Sequence, residues 1–295
     1  MPRQSEKVVV VTGSSSGIGA AVAREAARQG YPLLLTARRA DRLEALANEL
    51  RLLEVDVLVV PADLADPETP ERLVAAALER FGRLDVLINN AAVGVPHLFS
   101  RADPDGIRYQ LQVNFVAPIM LTRYALPHLL ESKGTVINVG SAITFVANSA
   151  LGAYGATKAG LAYWNDALRR ELRHRGVRVC LVEPGPVASE FFDAMGMFGR
   201  QGTGVYNPLR DPPPPLMNSD TEAAARRIVK LITSPRRRIT LCRRVVWPHR
   251  MAGSLFHFIP WLGDVAMTSM IRHLERTAFQ PDYKSRRPDD VRAHR

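Results

Sequence analysis

The stretch Lys7–Gly30, KVVVVTGSSSGIGAAVAREAARQG, decides how this chain folds. Its valines and Thr12 make a short apolar run that reads as a buried strand. The turn Gly13-Ser14-Ser15-Ser16-Gly17-Ile18-Gly19 follows, and then an Ala-rich helix to Gln29, with Gly30 placed as its C-terminal cap. Glycines in such a turn let the backbone approach a pyrophosphate, and the start of the helix presents N–H groups and a partial positive charge. A glycine turn also serves as a plain connector, so its meaning depends on the chain that follows.

The same unit then repeats. Strand Pro32–Thr36 leads to a helix from about Arg39 to Leu53, with Leu43, Leu46, Leu50 and Leu53 at helical spacing. Strand Val55–Val60, helix Pro67–Phe81, strand Asp85–Ile88 and a long helical stretch from about Asp105 to Glu131 come next. Strand Thr135–Gly140, a helix through Tyr154 and Lys158 to His174, and strand Val177–Val182 complete the alternation. Near-continuous apolar strands separated by helices predict an α/β fold: a doubly wound, mostly parallel, Rossmann-type sheet with helices on both faces. Ligands of such sheets bind beyond the carboxyl ends of the strands. The polar residues worth singling out collect there.

Arg38 and Arg39 stand at the end of the second strand, where no Asp or Glu is found. An acidic residue there would suit the ribose 2′-hydroxyl of NAD, whereas arginine suits the 2′-phosphate of NADP. Arg42 reads as a surface helix residue, and Arg39 is open between the two. Asp63, followed by Leu64, either faces an adenine edge or caps the next turn. Asn89-Asn90-Ala91-Ala92 ends the fourth strand, where paired amides can tie neighbouring strands together. Asn114 interrupts an apolar helix face, as a satisfied structural amide or as a group holding a water. Glu183-Pro184-Gly185-Pro186-Val187 is a rigid turn placed where a nicotinamide ring would rest.

The segment Gly140–Lys158, GSAITFVANSALGAYGATK, carries the chemistry. Tyr154 and Lys158 are four residues apart on one helix face, so phenol and ammonium point the same way. A lysine beside a phenol favours the phenolate, which predicts a Tyr154 pKa below its usual value of about 10. Such a group suits carbonyl reduction or alcohol oxidation near neutral pH. Ser141, at the end of its strand, is placed to bond the same substrate oxygen. By itself Y-x-x-x-K is a pattern that many helices contain.

The residue counts narrow the partners. From Arg226 onward there are 16 Lys/Arg against 5 Asp/Glu, which leaves 23 against 24 in the first 225 residues, so the net charge of +10 belongs to the tail. The tail interleaves Trp247, Phe256, Phe258 and Trp261 with basic residues, which suits a weak membrane-surface contact or packing on the sheet. No nucleic-acid motif accompanies the charge, and no cluster of metal-ligating residues is apparent. Cys180 and Cys242 read as buried free thiols, and no signal peptide or spanning helix is legible, so a cytoplasmic protein is expected. The domain is expected over 1–245, with Asp220–Thr233 as an amphipathic helix capped by Ser219 or Asp220 and Arg238–Cys242 as a last strand. A Met/Phe-rich loop over about 188–219 suggests a lid over an apolar substrate, and 246–295 forms a basic extension with a disordered end.

Together these residues resemble the short-chain dehydrogenase/reductase family over roughly residues 7–245. The turn from Thr12 to Gly19 is similar to the family's T-G-x-x-x-G-x-G, and Asn89-Asn90-Ala91-Ala92 to its N-N-A-G, with Ala92 in place of the glycine. Asn114, Ser141, Tyr154 and Lys158 fall on its catalytic tetrad, with the serine thirteen residues before the tyrosine, and Pro184-Gly185 matches its P-G turn. The resemblance implies NADP(H)-dependent hydride transfer at a ketone or secondary alcohol. Tyr154 would be the acid/base, Ser141 would orient the oxygen, Lys158 would bind the nicotinamide ribose and lower the Tyr154 pKa, and Asn114 would hold a relay water. The cofactor would lie on Gly13, Ser15, Ser16, Gly17, Ile18, Gly19, Arg38, Asp63, Leu64, Asn90, Ala91, Tyr154, Lys158, Pro184, Gly185 and Val187. A homodimer or homotetramer is implied as well. A sensor that binds cofactor without chemistry is the alternative, and it would be expected to lack Tyr154 or Lys158.

Overall fold

A computed structural model describes residues 7–95, 99–147, 151–185 and 220–241, with a few isolated helical positions beyond. In chain order the elements are β1 Val9–Thr12, α1 Gly17–Arg28, β2 Leu33–Thr36, α2 Ala40–Arg51, β3 Val57–Val59, α3 Thr69–Phe81 and β4 Val86–Asn89. Then come α4 Pro104–Leu111, α5 Ala117–Glu131, β5 Thr135–Val139, α6 Gly152–Leu172, β6 Arg178–Glu183, α7 Thr221–Thr233 and β7 Arg238–Thr240. The strands form one sheet in the order β3-β2-β1-β4-β5-β6-β7, every neighbouring pair parallel. The chain winds outward from β1 to β3, returns to β4, and winds outward the other way. Order therefore reverses between β1 and β4, which opens a crevice at their carboxyl ends.

Alternation of side chains along each strand builds two cores from one sheet. Val9, Val11, Leu33, Leu35, Val86, Ile88, Ile137 and Cys180 pack on one face with α1, α2 and α7. Val10, Leu34, Leu87, Val136 and Val179 point the other way, against α3, α5 and α6. Burial on both faces is why the strands read as unbroken apolar runs. Cys180 is buried within the first of these layers, and Cys242 lies outside the described residues.

Most differences from the expected elements are of a few residues at their ends. The third strand is shorter, and β7 stops at Thr240. The expected helix over 105–131 is interrupted: Gln112–Val116 forms a π-turn between α4 and α5. Pro118 contributes, because it has no N–H to give the Asn114 carbonyl four residues back. Asp220 caps α7 by accepting from Glu222 N at 2.9 Å. The substrate loop, Val187 and almost all of the basic extension lie outside the described residues.

Beneath the crevice the strands are tied by buried amides. Asn89 Nδ2 donates to Asn138 Oδ1 at 2.8 Å, and Asn138 Nδ2 donates to Asn165 Oδ1 at 3.0 Å, joining β4, β5 and α6. Thr122 of α5 also accepts from Asn89 Nδ2, at 3.2 Å. Asn138→Leu takes the bond from Asn165 Oδ1 and one of the two bonds made by Asn89 Nδ2, and a buried polar group left unsatisfied costs about 1–3 kcal/mol. The variant is expected to unfold at lower urea with an unchanged denaturant slope, and a midpoint equal to wild type would show that the amide chain is dispensable.

Candidate active site

The glycine turn is built against β4. Thr12 Oγ1 accepts from the backbone N–H of both Asn90 and Ala91, each at 3.0 Å, and donates to Ile88 O at 3.3 Å. Asn90 Nδ2 returns to Thr12 O at 2.9 Å and Gly13 O at 3.2 Å. Gly13 sits at φ +67°, and a Cβ there would lie 2.7 Å from Ala91 Cα. A Cβ on Gly19 would meet Gly13 O at 2.2 Å, so no other residue fits this close approach of helix to turn. No side chain caps the start of α1, because the Ser16 hydroxyl is engaged elsewhere: it accepts from Arg39 Nη2 at 2.7 Å. An uncapped helix N-terminus above a turn with glycine at positions 13, 17 and 19 fits a pyrophosphate.

Arg39 also donates to Ser15 Oγ, through Nε at 3.2 Å and Nη2 at 3.0 Å. It is therefore not a plain surface residue, and it lies closer to the glycine turn than Arg38 does. The available signal was the adjacent pair itself: consecutive residues leaving a strand point to opposite sides, so one of two arginines reaches the turn. Arg38 is exposed and reaches the other way, donating to Tyr109 Oη at 2.7 Å. Of the two readings of Asp63, the turn cap is formed. Its Oδ1 caps the following turn by accepting from Ala65 N at 2.9 Å, and its carboxylate also accepts from Tyr109. Leu64 is buried beside it. Tyr109 was not expected at this site; a half-polar aromatic on a short helix gives no periodic signal.

At the carboxyl end of β5, Gly140 N and Ala142 N donate to Val182 O at 2.8 Å and Pro184 O at 2.9 Å. These bonds bring Pro184-Gly185 alongside Ser141. Ser141 Oγ accepts from Ile143 N at 3.2 Å and hydrogen-bonds the Tyr154 phenol. Tyr154 and Lys158 share the buried face of α6, with Lys158 Nζ 6.0 Å from the Tyr154 ring centre. Lys158 is 2% exposed and donates to Val139 O at 2.8 Å. Its other two N–H donors meet no acceptor among the described residues, which suits a pair of vicinal hydroxyls.

Two expectations change here. Lys158 does not bring the Tyr154 pKa below normal in the protein alone. Burial pushes the phenol up to about 12 against the opposing pull of Ser141, and burial brings Lys158 down to about 8. Desolvation sets both directions because both groups lie inside the fold. The Asn114 side chain is a satisfied amide. It accepts from Val93 N and donates to Val93 O, both at 2.8 Å, and donates to Thr157 Oγ1 at 3.3 Å. The side chain clamps the loop after β4 and has no N–H left for a water. Gln110, one turn earlier, accepts from Val95 N at 2.8 Å and extends the clamp.

The shifts have opposite signs in stability. Lys158 releases its proton earlier in the folded than in the unfolded chain, so wild type gains stability relative to Lys158→Met as pH rises from about 8 to about 10.5. Tyr154 keeps its proton longer when folded, so wild type loses stability relative to Tyr154→Phe from about pH 10 to about 12. Urea midpoints across pH 7–12 check both, and parallel profiles would show that the pair is not buried as described.

A family profile described as short chain dehydrogenase matches residues 7–196. The 11-beta-hydroxysteroid dehydrogenase A of Sesamum indicum is 35% identical over 240 residues, covering 79% of this chain and 68% of that protein. The protein of the same name from Arachis hypogaea is 36% identical over 207 residues, covering 70% of this chain, which spans only 59% of that relative's length. Among solved structures, a short chain dehydrogenase from Burkholderia cenocepacia J2315 in complex with NADP superposes with a TM-score of 0.68 at 28% identity, covering 81% of this chain and 97% of that one. With the sheet order, the glycine turn and the Ser141–Tyr154–Lys158 cluster, these matches place the chain: it belongs to the short-chain dehydrogenase/reductase family, oxidoreductases acting on CH–OH and C=O groups.

Proposed function

We propose that this protein interconverts a ketone and a secondary alcohol on an apolar substrate, with NADP(H) preferred over NAD(H). The observation that carries the reading is the Ser141–Tyr154 hydrogen bond above a buried Lys158, beside a glycine turn built for a pyrophosphate. The nicotinamide, when bound, supplies or accepts the hydride. Ser141 orients the carbonyl oxygen and shares it with the phenol. Tyr154 gives its proton from Oη to that oxygen; a phenol held protonated at neutral pH is the form that reduction consumes. Lys158, still largely cationic at pH 7, holds the ribose hydroxyls and stabilises the phenolate left behind. Because the Asn114 side chain is spent on Val93 and Thr157, the relay water is assigned to its main-chain carbonyl, whose helical donor position is Pro118.

Preference for NADP(H) rests on Arg38 and Arg39 at the end of β2, with Arg39 already bonded to the turn serines. The NADP complex of the Burkholderia cenocepacia relative and the hydroxysteroid dehydrogenase names of the plant relatives are consistent with this cofactor and an apolar ketone. Assembly through the helices that carry Asn114 and Tyr154 belongs to the same proposal: Leu111, Val116 and Tyr163 are exposed there.

Two measurements test it. Nicotinamide fluorescence should report NADPH binding tighter than NADH, with Arg38→Ala and Arg39→Ala each weakening NADPH on the order of ten-fold or more and NADH little. Equal affinity for both cofactors would overturn the preference. Tyr154→Phe should keep NADPH affinity and lose about 10²–10⁴-fold in kcat on ketones that wild type reduces. If wild type binds NADPH and turns over no ketone or alcohol, the sensor reading replaces the enzyme.

A further inference from the structure

The adenosine end of the crevice holds a side chain that the reaction itself does not use. Tyr109, near the end of α4, accepts from Arg38 Nη1 at 2.7 Å and donates to the Asp63 carboxylate, 3.3 Å from Oδ1 and 3.2 Å from Oδ2. The Arg38 guanidinium carbon lies 5.8 Å from the centre of the same ring. One phenol oxygen therefore joins the exit of β2, the segment after β3 and α4. Arg38 and Asp63 make no direct ion pair; the hydroxyl stands between them, its dipole aligned with both charges.

Resting on the NADP(H) reading above, we propose that Tyr109 is a positioning residue for the adenosine half of the dinucleotide. It keeps Arg38 and Asp63 apart, one a cation available to the 2′-phosphate, the other a carboxylate available to the adenine edge. Burial and the nearby carboxylate push its pKa up to about 12, so it remains a donor to Asp63 throughout the neutral range. Without the oxygen, guanidinium and carboxylate face each other at the mouth of the crevice, and pairing directly satisfies both. An arginine paired in this way has its charge compensated and its donors spent, and it serves a phosphate poorly. NADH has no 2′-phosphate and loses little by the same collapse.

The test is Tyr109→Phe, which keeps the ring and removes only the oxygen, with NADPH and NADH titrated against the full chain by nicotinamide fluorescence. The expected result is an NADPH Kd weakened on the order of ten-fold with the NADH Kd within about two-fold of wild type. Tyr109→Phe combined with Asp63→Asn should recover NADPH affinity toward wild type, because Arg38 then has no carboxylate to pair with. Unchanged affinities, equal weakening of both cofactors, or no recovery in the double variant would each overturn the role of Tyr109 while leaving the cofactor reading intact. If wild type bound neither cofactor, the NADP(H) reading would fail and this inference with it.

Discussion

Thr12 and Asn90 hold the two halves of the sheet together where strand order reverses. The threonine hydroxyl takes two N–H bonds from the chain leaving β4, and the asparagine amide takes the two carbonyls of the glycine turn. The start of α1, aimed into the crevice, carries no side-chain cap, its Ser16 hydroxyl being bonded to Arg39. Nothing else in the site has a fixed reference without this tie, because the remaining residues come from strand ends placed by pairing outward from β1 and β4.

Around that tie the fold keeps a second set of polar groups out of water. Asn89, Asn138 and Asn165 bond in series below the crevice, and Asn114 and Gln110 grip the loop above it. In a low-dielectric interior such amides are costly unless paired, so they define one arrangement of strands and loop. Among the described residues Asn89 Oδ1, Gln110 Nε2 and Asn165 Nδ2 are nevertheless left without a partner. Lys158 adds a charge to this set. It is a buried cation with one acceptor among the described residues, kept charged near neutral pH at the cost of a lowered pKa.

Desolvation also governs the acid/base pair. Four residues of helical spacing put phenol and ammonium on one face, but how deeply that face is buried settles the direction of both pKa shifts. The resulting pair favours a protonated phenol over a buried phenolate, a starting state suited to giving a proton to a carbonyl. The site's chemistry thus depends on the packing of α6 as much as on the identity of its residues.

Periodicity and residue type alone determined much of this protein. Apolar runs at strand length, helical spacing between them and the glycine turn specified a parallel α/β sheet, because those signals are local and repeat along the chain. Ser141, Tyr154 and Lys158 were legible by spacing, and Pro184-Gly185 by the rigidity of its turn. Tertiary structure decided what spacing does not encode. It sent Arg39 rather than Arg38 to the turn serines, set Tyr109 between Arg38 and Asp63, and spent the Asn114 amide on a loop. It also interrupted the expected helix over 105–131 with a π-turn at Gln112–Val116. The physical reason is common to all four. Which partner a polar side chain meets, and how far it leaves water, depends on contacts between segments remote in the chain, and those exist only once the sheet has closed.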